Sequence, residues 1–207
     1  MKQKIVGIFM CILLILMLLP ISVMAGDATD PEISDTTGDA RANVDIQKAW
    51  FSEDSTTPDY LYITIQVALL QPKYPGTLLN DVYWTMNDVH YLVSGGLGIY
   101  LGGVNELYVV VGVARIFGIF TEITGSMDLK NSTITCKIPK SLIGNLHTGD
   151  VLTKTYAGTS QRTSLMEKLG RDAYFRTLFF QKLGISSLGW MDQAPDSGYG
   201  KNYIIQY

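Results

Sequence analysis

The sequence predicts an all-β protein, an antiparallel, jelly-roll-like β-sandwich with one helical insert near residues 160–184. Three observations support this class. Short segments alternate apolar and polar residues, turns rich in Gly, Asn, Asp and Pro separate them, and only one stretch has helical spacing. Residues 26–207 are predicted to form one domain, because 182 residues suffice for a single core.

The first strand pair is predicted on either side of the turn sequence DSTTP. Residues 60–67 alternate in polarity, with Leu61, Ile63, Ile65 and Val67 on one face and Tyr60, Tyr62, Thr64 and Gln66 on the other. A period of two is typical of a strand with one buried face. The segment VDIQKAWFSE precedes the turn, so the two strands are expected to form a hairpin.

The middle and the end of the chain continue this pattern. DVYWTMND and VHYLVSG are linked around Asn87 and Asp88, and ELYVVVGVARIFGIFTEITGSMDL adds one or two strands. TITCKIP alternates through Ile134, Cys136 and Ile138 and stops at Pro139. DVLTKTYAGT and GYGKNYIIQY are predicted as the last strands.

The helical insert is predicted in SQRTSLMEKLGRDAYFRTLFFQKLG. Its apolar residues recur near helical spacing, at Leu165, Met166, Leu169, Ala173, Leu178 and Leu183. Several basic residues lie between them. The segment is interpreted as a helix packed on the domain with a solvated face, and the alternative is a helix lying on a membrane surface.

The N-terminus has the layout of a secretory signal peptide over residues 1–25. Lys2 and Lys4 precede an apolar run that Pro20 interrupts, and Val23 and Ala25 occupy the small-residue positions of a cleavage site. Cleavage after Ala25 predicts a secreted or cell-surface protein. The alternative is an uncleaved anchor formed by residues 5–24, which are long enough to span a bilayer.

Charge and motifs argue against several functions. Removing Lys2 and Lys4 leaves 14 of the 16 basic residues against 19 acidic ones, a net charge of −5, which argues against nucleic acid as a partner. Motifs of serine hydrolases, zinc proteases and phosphate-binding loops are missing from the sequence, and neither His90 nor His147 has a nucleophile beside it. A non-catalytic protein is therefore predicted, although a carboxylate pair for glycoside hydrolysis stays open.

Acidic residues near both ends of the mature chain indicate a calcium site. Asp35, Asp39 and Asp45 lie in one Gly- and Asn-containing segment, and Asp192 and Asp196 lie near the end. Calcium binds six to eight oxygens from carboxylates and loop carbonyls. The alternative is that these acids are ordinary turn formers.

Aromatic residues suggest a carbohydrate ligand, because pyranose rings stack on aromatic faces. Trp84, Trp190 and Tyr199 are the candidates. Trp190 lies beside a Gly- and Asp-rich loop, which favours exposure, whereas Trp84 lies within VYWT and equally suits a core position.

Three segments resemble a known group of domains. DPEISDTTGDARANVDIQKAWFSEDSTTPDYLYITIQV resembles the opening of DOMON-like and family-nine-type carbohydrate-binding domains. CKIPKSLIG followed by TGDVL resembles their late strand, and DQAPDSGYGKNY resembles the closing segment of secreted archaeal members. The resemblance implies a jelly-roll-like sandwich with neighbouring termini that serves as a ligand-binding or surface-displayed module. The insert at 160–184 departs from the pattern.

The resulting hypothesis is a secreted or cell-surface, non-catalytic module with structural calcium that binds a carbohydrate or a cell-surface component. A membrane contact is expected only through an uncleaved N-terminal segment. Two alternatives remain, a structural or adhesive envelope protein without a small ligand and a secreted hydrolase.

Overall fold

Two antiparallel sheets form a β-sandwich in the computed structural model, which describes residues 26–71, 77–98, 105–113, 119–162 and 191–207. The first sheet has the order β1-β2-β3-β9-β8, formed by Ile33–Ser34, Ile46–Ser52, Tyr60–Val67, Thr133–Pro139 and Thr124–Asp128. The predicted all-β, antiparallel sandwich is therefore confirmed.

The second sheet has the order β11-β10-β4-β5-β6-β7. These strands are Asp192–Ala194, Val151–Arg162, Thr77–Met86, Val89–Gly98, Asn105–Val113 and Ile119–Glu122. A last strand, β12 (Tyr203–Ile204), pairs with the start of β10. Strand β10 thus pairs with β12 at its start and with β11 in its middle, at residues 157–159, which fixes both parts of the C-terminal segment to the same strand.

Two hairpins form where the sequence predicts them. β2 pairs with β3 with Phe51 opposite Ile63, and the apolar face of β3 is buried. β4 and β5 are joined by Asn87 and Asp88, whose φ angles are 49° and 61°. Two left-handed residues are what a two-residue turn between twisted strands requires, and Asn and Asp tolerate that conformation.

The core lies between the two sheets and is rich in aromatic rings. Trp84 of β4 contacts Phe51 of β2 edge-on, with ring centroids 5.8 Å apart, and stacks on Tyr91 of β5 at 5.5 Å. Tyr203 contacts the same Phe51 ring at 5.5 Å. These rings join strands of both sheets with the C-terminal segment.

The helical insert is partly corrected. Residues 160–162 continue β10 and pair with residues 77–79 of β4, so they are not helical, because the strand gains ladder hydrogen bonds there. The rest of the predicted insert, and the signal peptide at 1–25, lie outside the described residues. Within the described ranges the one helical element is a 3₁₀ turn, Lys140–Ile143, and no helix is long and apolar enough to cross a membrane.

Candidate functional site

Three aspartates from distant parts of the chain meet at one edge of the sandwich. Asp35 follows β1, Asp39 lies four residues later, and Asp192 begins β11. Each offers a carboxylate oxygen, and these oxygens all lie within 4.8 Å of one another. We call these three residues the acidic cluster.

Backbone hydrogen bonds explain why the segments converge. The Asp192 carboxylate (Oδ2) accepts from the backbone N–H of Ile46 at 2.6 Å, and the Thr159 hydroxyl donates to the carbonyl of Val44 at 2.8 Å. Thr159 lies opposite Asp192 in the β10–β11 ladder. The start of β2 in one sheet is therefore tied to β10 and β11 in the other.

The loop that carries Asp35 and Asp39 is shaped by Gly38 and Asp45. Gly38 has a φ of 92°, which favours glycine, and its N–H donates to Oδ2 of Asp45 at 2.9 Å. The side chain of Asp45 thus holds the turn at Gly38, between Asp35 and Asp39 on one side and β2 on the other.

Two buried carboxylate oxygens at this site have no donor. Asp45 is 2% exposed, and neither its Oδ1 nor Oδ2 of Asp35 has a hydrogen-bond partner among the described residues. A buried anionic oxygen without a donor or a cation is costly, because it has lost its hydration.

The carboxylates also repel one another. The pKa of Asp35 is raised to about 6, first by burial and further by the charges of Asp192, Asp196 and Asp39. The pKa of Asp192 is also raised, by burial first and then by the charges of Asp39 and Asp45. No lysine or arginine in the described ranges forms an ion pair with any of these five acids.

All five predicted metal-binding aspartates thus lie at this edge, but only three of them form the acidic cluster. Asp35, Asp39 and Asp192 form the acidic cluster, and Asp45 supports the loop. Asp196 faces Asp35 across a shallow depression of about 300 Å³, lined by Ser34, Asp35, Thr36, Pro195, Asp196 and Ser197. Carboxylate oxygens without nitrogen or sulfur donors suit a hard cation such as calcium.

Two of the three predicted aromatic ligand residues, Trp84 and Tyr199, lie in the described part of the chain. Trp84 is 0% exposed, and its ring is used for packing against Phe51 and Tyr91, so the prediction that it stacks on a sugar is wrong. Tyr199 is 55% exposed, with its ring 6.2 Å from that of Tyr156. Trp190 lies outside the described residues.

A groove that the sequence did not reveal lies at the other end of β3. It encloses about 800 Å³, and its lining includes Tyr60, Tyr207, Pro139, Asp59, Asn145 and His147. The ammonium of Lys137 lies 4.1 Å from the centroid of the Tyr60 ring. The only sequence signal for this groove was the placement of Tyr60 on the polar face of β3.

The described histidines and the cysteine do not form a nucleophile–base pair. The Nδ1 atom of His90 shares a hydrogen bond with the Thr85 hydroxyl at 2.9 Å, and His147 is exposed, 3.9 Å from Asp150. Cys136 is buried, and burial raises the pKa of its thiol to about 12, which suppresses the nucleophilic thiolate at neutral pH.

Comparison of the chain with protein-family models, with curated proteins and with solved structures finds no match. The β-sandwich therefore stands on the structure alone.

Proposed function

We propose that this chain is a secreted or cell-surface, non-catalytic binding module whose acidic cluster holds one calcium ion. The ion would join the loop after β1 to the start of β11, beside the hydrogen bond that Ile46 of β2 donates to Asp192. The observation that carries the proposal is Oδ2 of Asp35, a buried oxygen of the acidic cluster that has no hydrogen-bond partner among the described residues. Oδ1 of Asp45, a side chain that is 2% exposed, is a second such oxygen.

A cation at this position resolves two unfavourable features together. It supplies a counter-charge to buried oxygens of Asp35 and Asp45 that lack donors. It also removes the mutual repulsion that raises the pKa of Asp35 and Asp192. Calcium fits better than magnesium, because flexible loops with several carboxylates satisfy its large and irregular coordination shell.

The proposed ligand is a carbohydrate, as the resemblance to DOMON-like and family-nine-type domains implies. Because Trp84 is buried, we assign the contact to the groove at Tyr60 and Tyr207. That groove combines two tyrosine rings with amide, carboxylate and hydroxyl groups, which is the mixture that sugar rings require.

The calcium proposal is tested by thermal unfolding with calcium and with chelator. Calcium at a hundredfold excess over Kd is expected to stabilise the fold by about 2.7 kcal/mol. The substitution Asp39→Asn distinguishes a calcium site from a group of ordinary turn-forming acids, because it should change the stability differently in calcium and in chelator. If the cluster holds calcium, the substitution weakens the calcium-dependent gain, whereas in chelator it removes a repelling charge and leaves stability equal or higher.

Asp88→Asn is the matched control, since Asp88 is an exposed turn aspartate with a left-handed backbone that Asn accepts. It should leave the calcium response unchanged. An unfolding temperature that is the same in calcium and in chelator would contradict the proposed site. The carbohydrate proposal is checked separately by a glycan screen with Tyr60→Ala, in which a hit that survives the substitution excludes this groove.

A further inference from the structure

Gly26 lies against the carboxylate of Glu32. It is buried, and a methyl group built on its Cα would lie 2.1 Å from Oε1 and 2.3 Å from Oε2 of Glu32. Covalent geometry fixes the backbone nitrogen about 2.5 Å from such a methyl group, so the Gly26 nitrogen lies at most about 4.6 Å from Oε1. A side chain at this position would force the Glu32 carboxylate to shift.

Glu32 is otherwise enclosed by protein. It is 8% exposed, and Oε2 accepts from the backbone N–H of Phe51 at 2.9 Å. The charged and titratable groups that face it are Asp30, Lys201 and Tyr203. Lys201 is bonded to the side chain of Asp30, and no described residue forms an ion pair with Glu32.

Within the part of the chain that the structure describes, this carboxylate therefore has no ion-pair partner. Burial raises the pKa of Glu32 to about 7, with a further increase from Asp30 that Lys201 opposes. A small cation placed beside this buried carboxylate would form an ion pair with it. The attraction would be strong there, because little water screens the two charges.

We propose that Glu32 is the binding site for the α-ammonium group of Gly26, which is created when residues 1–25 are removed. Hydrolysis of the Ala25–Gly26 bond by a processing peptidase consumes one water, leaves a carboxylate on Ala25 and frees an amine on Gly26. That amine takes up a proton, because its pKa lies near 7.7–8.0. This inference depends on the proposed secretion of the chain.

Processing and folding stability are coupled as a result. Before cleavage, the Gly26 nitrogen is an uncharged amide, and Glu32 has the hydrogen bond from Phe51 but no ion-pair partner among the described residues. After cleavage, a charge-assisted hydrogen bond joins the new N-terminus to a side chain that also holds β2 through Phe51. The mature N-terminal segment is thereby fastened across the edge of the first sheet.

The experiment compares the processed protein with a full-length precursor carrying Ala25→Phe, which blocks cleavage without adding charge. Both are studied in the same detergent at pH 6, each with Glu32 and with Glu32→Gln. Processing is expected to lower the unfolding constant at least about tenfold with Glu32 present. With Glu32→Gln this difference should disappear. An equal difference in both backgrounds would overturn the proposal.

A second measurement needs no precursor. In the processed protein, the carbon-13 shift of the Glu32 carboxyl should show an ionised group at pH 6, and the Gly26 amine should titrate above its usual range. A Glu32 carboxyl that titrates near pH 7 in the processed protein refutes the pair. Mass spectrometry of the N-terminus separates the two proposals. A chain that is not cut after Ala25 contradicts this pair and the secreted form, and leaves only a cell-surface protein anchored by residues 5–24. Correct cleavage without coupling contradicts only the pair.

Discussion

At the scale of single residues, Asp81 shows what alternation in the sequence does not reveal. In β4, Val82, Trp84 and Met86 face the core between the sheets. Asp81 belongs to the opposite face, where a solvated carboxylate is the ordinary expectation, yet it is 0% exposed. The period of two assigns a residue to a face but does not say whether that face is covered.

Asp81 is expected to make the protein less stable as pH rises. Burial raises the pKa of its carboxyl to about 7, although the hydroxyls of Ser94 and Tyr83 oppose the increase. The folded state therefore keeps a proton that the unfolded chain releases near pH 4. This contribution is fully present below about pH 4 and is lost between about pH 4 and pH 7.

Replacement of Asp81 by Asn should flatten this part of the stability profile. The amide keeps the shape of the carboxyl group without a charge, and the gain at pH 8 is expected to be of the order of a few kcal/mol. Urea unfolding at intervals from pH 4 to pH 8 measures it. Asp88→Asn, in an exposed turn, should leave the profile unchanged. A profile for Asp81→Asn that runs parallel to the wild type would show that this carboxyl stays ionised.

At the scale of elements, the sequence predicted strands best where length and alternation agree. β3 and the β4–β5 hairpin were found from their period and from Asn87-Asp88. β1 and β11, of two and three residues, were missed, because so short a strand shows no period and is determined by its pairing partner. The segment WMDQAPDSGYG, which suggested a turn or part of a calcium site but not a strand, contains β11.

A buried ion pair joins three elements that the sequence did not connect. The Lys140 ammonium lies 2.5 Å from Oε1 of Glu53, and the two side chains are 6% and 0% exposed. Oε2 of Glu53 accepts from the backbone N–H of Gln206 and from the Tyr203 hydroxyl. The end of β2, the 3₁₀ turn and the C-terminal segment thus share one charge pair.

Lys140→Met is expected to cost about 3–5 kcal/mol, because it leaves the Glu53 carboxylate buried without a cation. The double variant Lys140→Met/Glu53→Gln should cost less than Lys140→Met alone, since Gln keeps an acceptor and carries no charge. Urea unfolding of the two single variants and the double variant measures this coupling. Lys201→Met, which breaks an exposed pair with Asp30, should cost less than about 1 kcal/mol. Additive costs at Lys140 and Glu53 would contradict a coupled pair.

At the scale of the whole molecule, the sandwich explains why the acids could be foreseen and the aromatic site could not. The sandwich brings the loop with Asp35 and Asp39 next to Asp192, so acids near both ends of the predicted mature chain were an informative pattern. Tryptophan in a strand is equally compatible with a core and with a ligand face. The core position of Trp84 depends on its contacts with Phe51 and Tyr91. Phe51 lies far from Trp84 in sequence, and Tyr91 lies across the turn between β4 and β5.

If calcium joins the two sheets at the acidic cluster, it should slow hydrogen exchange at amides bonded to the surrounding carboxylates. The N–H of Ile46 donates to Asp192, and the N–H of Gly38 donates to Asp45. A cation that holds these carboxylates suppresses the local opening that exposes both amides. Exchange followed by NMR in calcium and in chelator measures the effect.

The Lys130 amide provides the internal control, because it also donates to an aspartate, Asp128, in the exposed turn between β8 and β9. Its exchange should be the same with and without calcium. Equal slowing at Ile46, Gly38 and Lys130 would indicate a general salt effect, and no slowing at Ile46 and Gly38 would contradict the site. Selective slowing that Asp39→Asn abolishes would assign the effect to the acidic cluster, because Asp39 makes neither of these hydrogen bonds.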